Sequence, residues 1–335
     1  MNQVKLALLF LSSATSIFAQ DAPRLVSAVL EGPVLTDRVQ KTAMNFTRAS
    51  AAYMLDGQRI SQALPRFGNL TIFNRPEYML AGPYSRTNVL ALAHCNGYFW
   101  GAPLWNYADN HLYRSSDAAN WQPVAKLDRG GVASLYVTEA GLLLVGTRNP
   151  GGVCVWDAGT EGLVRVLTML SENPWPRHWS WTEMNGVIYV GEYGSKYGPD
   201  NARRIYQSPD GGWTWQVFYD TAPVQGYHVH RVLGDTYRSH IYWSHGDSFP
   251  DKGGSELFRS VDGGQSWELL SSVEQPTAGI ARPEGVYFGA DNFSIGIYRF
   301  LNGSKEAENV CTDLVGGYIW DMREFNGVIY ATSLL

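Results

Sequence analysis

The sequence is poor in cysteine, in charge and in long apolar runs, and each shortage removes a class of answer. Its 335 residues include three cysteines, Cys95, Cys154 and Cys311, with no Cys-x-x-Cys spacing among them. At most one disulfide can form from such a set, and buried free thiols fit it equally, so the chain is no disulfide scaffold. Charged residues make up 17%, with 26 Lys+Arg against 31 Asp+Glu for a net charge of -5. That balance leaves no basic footprint for a nucleic acid or an anionic membrane surface. It also excludes disordered, collagen-like and coiled-coil chains. Beyond residue 19 no stretch approaches the roughly 20 apolar residues of a membrane-spanning helix, so no membrane anchor is expected. What abounds is aromatic side chain and glycine: 12 Trp, 19 Tyr, 13 Phe and 35 Gly. Rings in that number suit a β-rich core and also the walls of a sugar-binding cleft.

Residues 1–19 read as a secretory signal peptide. Lys5 precedes the apolar run Leu6–Leu11, and Ala19 stands where a signal peptidase would cut before Gln20. The mature chain, residues 20–335, is then secreted and extracellular as a single domain. The sequons at Asn45, Asn69, Asn292 and Asn302 become candidate glycan sites in a host that glycosylates.

Internal repetition is the strongest signal. One short strand recurs as NGYFWGA (96–102), AGLLLVGT (140–147), NGVIYVGE (185–192), SHIYWSHG (239–246), EGVYFGAD (284–291) and NGVIYATS (326–333). Its copies are 44, 45, 54, 45 and 42 residues apart. Each follows a turn signal and is β-branched or aromatic, as a buried strand should be. A period in this range with all-β character predicts a β-propeller with four strands per blade. Stepping back from Gly97 by one period reaches Tyr53, which makes seven blades, with six as the alternative. The chain stops just after the second strand of the last blade. N-terminal strands, Arg24–Val29 among them, are therefore expected to complete that blade and close the ring.

A second motif recurs out of phase. Ser208-Pro-Asp210-Gly-Gly212-Trp-Thr214-Trp215 and Ser260-Val-Asp262-Gly-Gly264-Gln-Ser266-Trp267 share the form S-x-D-x-G-x-[ST]-W, and Ser115-Ser-Asp117-Ala-Ala-Asn-Trp121 is a shortened copy. The pattern suits a hairpin turn: Asp accepts bonds from turn amides, Gly takes a positive φ, and Trp staples the turn to its sheet. On these residues the chain resembles the Asp-box (BNR-repeat) β-propellers, the group with the sialidase-like fold that includes several glycan-active proteins. The resemblance implies the architecture and says little about activity.

Blade topology places the starts of innermost strands and the ends of second strands on one face, around the axis. Of seven histidines, His178, His228, His230 and His245 fall in those windows. So do Glu192, Asp247, Asp291, Arg148, Arg177 and Arg282, together with Trp105, Tyr193 and Trp320. A funnel lined by titratable groups and aromatics is the expected site. His178, His228, His230, His245, Tyr193 and Glu192 are the catalytic candidates. Arg148, Arg177, Arg282, Asp247, Asp291, Trp105 and Trp320 are the substrate-binding ones. Glu192 and Asp247 could instead bond neighbouring loop amides, and Trp179, Trp181 and Trp243 are expected in the core.

Three chemistries remain open. Gln225-Gly-Tyr-His228-Val-His230 resembles the metal-binding segment of oligogalacturonate lyases, which implies a divalent metal held by His178, Gln225, His228 and His230. No cofactor is otherwise required. Without metal, a histidine or Tyr193 would remove the proton α to a uronate carboxylate while Arg148, Arg177 or Arg282 neutralises that carboxylate, an elimination. Hydrolysis would instead pair Glu192 with Asp247 or Asp291. A strict sialidase is disfavoured because the Arg-Ile-Pro motif of that family is absent. The expected partner is an acidic polysaccharide or oligosaccharide, cleaved by elimination. A non-catalytic propeller that binds a glycan or a protein is the alternative.

Overall fold

The structure, a computed structural model, describes residues 5–11, 26–30, 70–71, 89–103, 109–117, 120–194, 202–221, 228–246, 255–272, 275–291, 296–311, 318–325 and 328–334. It is all-β. Five sheets follow one another along the chain, each of four antiparallel strands laid down in order. Their innermost strands are Leu90–Cys95, Gly131–Val137, Trp181–Met184, His228–Asp235 and Pro276–Arg282, and their second strands are Tyr98–Ala102, Leu143–Arg148, Val187–Gly191, His240–Gly246 and Gly285–Ala290. A sixth sheet begins with Tyr318–Phe325 and Val328–Leu334. All six copies of the recurring motif are thus second strands.

Among the described residues no single central core holds the sheets. The apolar side chains gather in five clusters, each between one sheet and the next. Trp100, Leu112, Val145 and Trp156 join the first to the second, and Leu144, Val155, Trp181 and Tyr206 the second to the third. Ile205, Val229 and Trp243 continue the series, followed by Leu233, Tyr242, Phe288 and Tyr298, then by Tyr287, Ile297, Ile319 and Ile329. Sheets packed face to face in sequence are consistent with a β-propeller. Leu143–Arg148 and Gly285–Ala290 are covered on both faces and so read as continuous apolar runs without alternation. Cys95 and Cys154 are buried free thiols within the first cluster, and burial raises both.

Turn chemistry follows from the residues. Asn96-Gly97 and Asn185-Gly186 connect innermost to second strands with φ of 51° and 76°, and of 54° and 75°. Two successive positive φ values are the requirement of the hairpin turn that Asn-Gly meets at low cost. On the same face, Asp210 accepts bonds from the Trp213 and Thr214 amides at 3.1 and 2.8 Å and from the Thr214 hydroxyl at 2.7 Å, while the Trp215 indole donates to the Gly212 carbonyl at 2.9 Å. Asp262 repeats this with Ser266, and Asp117 with Asn120. A fourth turn of the kind, Asp157 to Gly159 and Thr160, lacks the Ser and Trp that made the others visible in the sequence.

These turns carry a pH prediction. Bonds from Thr214 to Asp210, and from Ser266 to Asp262, hold both carboxyls down to about 2, against 3.8 ordinarily. A depressed carboxyl contributes stability that is complete above its ordinary value and is lost as pH falls through its folded one. Denaturant unfolding should therefore show stability falling between pH about 4 and 2, and the D210N/D262N double variant should lose less across that window.

Two expectations about the ring need restating. Six sheets are present among the described residues, and the seventh copy projected at Tyr53 lies outside them. The N-terminal contribution is Lys5–Leu11, paired parallel with Val328–Leu334 from Lys5 opposite Val328, and then Val26–Leu30 and Leu70–Thr71, each antiparallel to the strand before it. N-terminal strands do join the last sheet, but the strand next to Val328–Leu334 is the run read above as the apolar part of a signal peptide. Val26–Leu30 lies one strand further out. Among the described residues no helix is long and apolar enough to cross a membrane.

Candidate functional site

The link from the second sheet to the third runs over the face where second strands end, and it carries the sequence Trp175-Pro-Arg177-His178-Trp179. Two anchors hold it. At its start the Glu192 carboxylate, fully buried, accepts from six donors: the amides of Leu170, Ser171, Arg203 and Arg204, the Ser171 hydroxyl and the Tyr206 hydroxyl. Further along, Trp175 and Tyr193 exchange backbone bonds at 2.7 and 2.9 Å. The link then tightens into a 3-10 turn, His178–Ser180, against the innermost strands. Arg231, buried in the fourth sheet, donates to the Trp179 carbonyl at 2.7 Å and to the Gly279 carbonyl of the fifth sheet at 2.9 Å. It pins the turn among three sheets.

Around Trp179 the rings converge. Its centroid lies 4.6 Å from His178, 5.9 Å from Tyr193, 6.2 Å from His230 and 5.5 Å from Trp320, which belongs to the sixth sheet. Trp320 in turn donates to Asp291 at 3.1 Å. The Arg177 guanidinium stands 4.8 Å from the Tyr193 centroid and 5.2 Å from that of Trp179, and Arg148 stacks on Trp175 at 3.9 Å. Residues from 148 to 320 thus meet in one patch. Cations on aromatic faces keep their charge while their hydrocarbon stems are covered.

Burial sorts the candidates. Arg148, Arg177, His178, Tyr193, Asp291 and Trp320 all keep part of their surface open. His228 and His230 do not: they are 3% and 1% exposed. The Tyr193 ring covers them, 3.8 Å from His228 and parallel to His230 at 5.9 Å, and His228 Nδ1 lies 3.1 Å from the Gly194 carbonyl. These imidazoles support Tyr193 from beneath and do not reach the mouth. His245 is corrected too. It is buried beside Phe258, with Nε2 2.9 Å from Glu256, and pairs with Val229, so it faces away from the side of the strand that carries His228 and His230. Glu192 is a structural acceptor, closed to solvent.

Arg282 is displaced by the length of a strand. It ends the innermost strand of the fifth sheet, six residues beyond Pro276 and so roughly 20 Å from the mouth at ordinary strand rise. There it pairs with Glu284 at 3.1 Å and Glu324 at 3.6 Å. Trp105, Gln225 and Asp247 lie outside the described residues. Among the described residues no three His, Cys, Asp or Glu side chains are grouped as a metal site. Sequence reasoning missed Trp175 and Arg231 and set Trp179 aside as core. The dense run of Trp, Arg and His at 175–179 was the available signal.

Charge at the patch is set by burial. Desolvation pushes His178 down to about 4, with Arg177 adding to the effect and Asp321 opposing it, so the imidazole is neutral at neutral pH. Burial also draws Arg231 down to about 10, again against Asp321, which leaves it cationic. A histidine whose folded value lies below its ordinary 6.5 destabilises the fold as pH falls from about 6.5 through 4, because the unfolded chain takes up the proton first. An NMR titration of His178 should show a midpoint near 4. A midpoint near 6.5 would mean the ring is solvated.

Comparison with protein-family models finds no match, and comparison with curated proteins finds none. Solved structures with a loosely similar shape include a nidogen/laminin complex, a gluconolactonase from Xanthomonas campestris and a GH74 xyloglucanase from the same organism. The first is 10% identical over 73% of this chain and 84% of that one, with a TM-score of 0.47. The gluconolactonase is 11% identical over 70% and 79%, with a TM-score of 0.48. The xyloglucanase is 18% identical, covering 73% of this chain and 38% of the other, with a TM-score of 0.46.

Proposed function

We propose that this chain is a secreted β-propeller acting on an acidic, uronate-containing glycan at the mouth formed by Arg148, Arg177, His178, Tyr193, Asp291 and Trp320, and that it cleaves by β-elimination. The observation that carries this reading is the pairing of two aromatic-backed guanidiniums, Arg148 and Arg177, with a partly open phenol and a neutral imidazole in one patch. Such a patch is built to receive a carboxylate next to a group that handles protons.

In the proposed step Arg177 and Arg148 bind the uronate carboxylate and neutralise charge that develops on it. Tyr193 takes the proton from the carbon α to that carboxylate. The C–H electrons form the new double bond, the C–O bond at the β carbon breaks, and Tyr193, protonated by the first transfer, returns that proton to the departing oxygen. Arg177 stands where it would neutralise both the substrate carboxylate and an ionised phenol. His178, uncharged at neutral pH, hydrogen-bonds a sugar hydroxyl without competing for the carboxylate. Trp320, fixed by Asp291, offers an aromatic edge to a sugar face.

Hydrolysis loses ground because its expected carboxylate pair included Glu192, which is buried and saturated with donors. Non-catalytic glycan binding is the second reading, favoured by the stacked aromatic walls. Incubation with a panel of uronate polysaccharides separates the three. Ultraviolet absorbance from an unsaturated product supports elimination, new reducing ends without that absorbance support hydrolysis, and retention on the polymers without cleavage supports binding. N-terminal sequencing of the secreted protein should begin within a few residues of Gln20, and the secreted form then carries its last sheet without Lys5–Leu11.

A further inference from the structure

We infer that a cleft of about 530 Å³ beside the mouth, lined by Arg129, Asn149, Pro150, Ser171, Asn173 and Pro174, is a distal subsite that binds a further uronate unit of the same glycan chain. The inference rests on the function proposed above. Its first support is position. Asn149 follows Arg148 in sequence and Pro174 precedes Trp175, so the Arg148–Trp175 stack forms the partition between cleft and mouth. A chain lying across that stack would occupy both.

Rigidity is the second support. The Thr147 hydroxyl donates to the Pro150 carbonyl at 3.0 Å and the Met169 amide to the Gly151 carbonyl at 3.0 Å, which ties one wall to its sheet. Gly151 abuts the Pro174 carbonyl so closely that any Cβ would run into it. The floor is Ser171, whose hydroxyl donates to Glu192 and accepts from Arg204 at 2.8 Å. A cleft so tied is preformed, and its volume lies within the range that holds small ligands, roughly 300–1,000 Å³.

Chemistry is the third. The lining combines two amide side chains with proline rings and one exposed cation, Arg129, which makes no ion pair among the described residues. Amides suit sugar hydroxyls, proline faces suit the apolar side of a pyranose, and a solvated guanidinium suits a carboxylate in a fork. Among the described residues no acidic side chain lines the cleft to repel that carboxylate.

The test compares short and long uronate oligosaccharides on wild type, Arg129→Ala and Asn173→Ala. Wild type should favour the long ones. Arg129→Ala should raise KM for long oligosaccharides about tenfold, the loss of roughly one charge-assisted hydrogen bond, and Asn173→Ala about fivefold, the loss of a neutral one, with kcat and the KM for the shortest cleaved substrate unchanged. If wild type cleaves but both variants match it at every length, the cleft is no subsite and the mouth proposal stands. Equal losses on short and long substrates would also overturn the subsite, since the cleft would then act at the mouth. A wild type that neither cleaves nor binds any uronate chain overturns both.

Discussion

Replacing Tyr193 by Phe is expected to lower turnover on a uronate polymer by about 10²–10⁴-fold, the usual share of a positioned proton-transfer group, while leaving the fold intact. The ring stacks over His228 and His230 and against Trp175, and Phe supplies the same faces. Its backbone bonds to Trp175 are independent of the side chain. Unfolding midpoints of the two proteins should therefore agree while their rates diverge. Arg177→Ala should show a comparable loss with a raised KM, because the carboxylate loses its receptor. A Tyr193→Phe variant with wild-type turnover would remove the phenol from the mechanism.

The largest stability effect is expected at Glu192. Six donors converge on its carboxylate, and Arg204 stands 3.8 Å away as a charged partner. The Tyr206 phenol is raised by its own burial and then by the negative charge of Glu192 beside it. Glu192→Ala would strand those donors inside the protein, at a cost of about 3–5 kcal/mol for a broken buried charge pair, measured by denaturant unfolding. Glu192→Gln keeps one acceptor oxygen and should fall between. The loop from Met169 to Trp175 would lose its anchor, so activity should fall with stability. A Glu192→Gln variant of normal stability but no turnover would instead make Glu192 a catalytic group.

The architecture was largely legible in the sequence because its signals are local. Asn-Gly turns, runs of Val, Ile and Tyr, and the Asp-centred hairpins each depend on a few adjacent residues, and they recur. The strand repeat placed all six second strands. It did not reach the N-terminal strands, where no copy of the motif is visible and where Lys5–Leu11 takes the place expected of Arg24–Val29.

The site was legible in part. Topology brought Arg148, Arg177, His178, Tyr193, Asp291 and Trp320 to one mouth, because a strand start or end fixes a residue's level along the axis. It could not fix depth or facing. His228 and His230 are at the right level but under Tyr193. His245 is at the right level but faces its own sheet and Glu256. Arg282 was assigned to a strand start from a window of six residues, and the strand proved long enough to carry it to the other face. Trp179 was read as core on its type alone. It is buried, at 2% exposed, and it is also the ring around which the mouth is built.

The most direct test is a crystal structure of the Tyr193→Phe variant with a uronate oligosaccharide soaked in. The account predicts a carboxylate within hydrogen-bond distance of both Arg177 and Arg148, with its α carbon facing the position of the missing phenolic oxygen. A sugar bound elsewhere on the ring, or seated at the mouth with its carboxylate turned away from both guanidiniums, would contradict it.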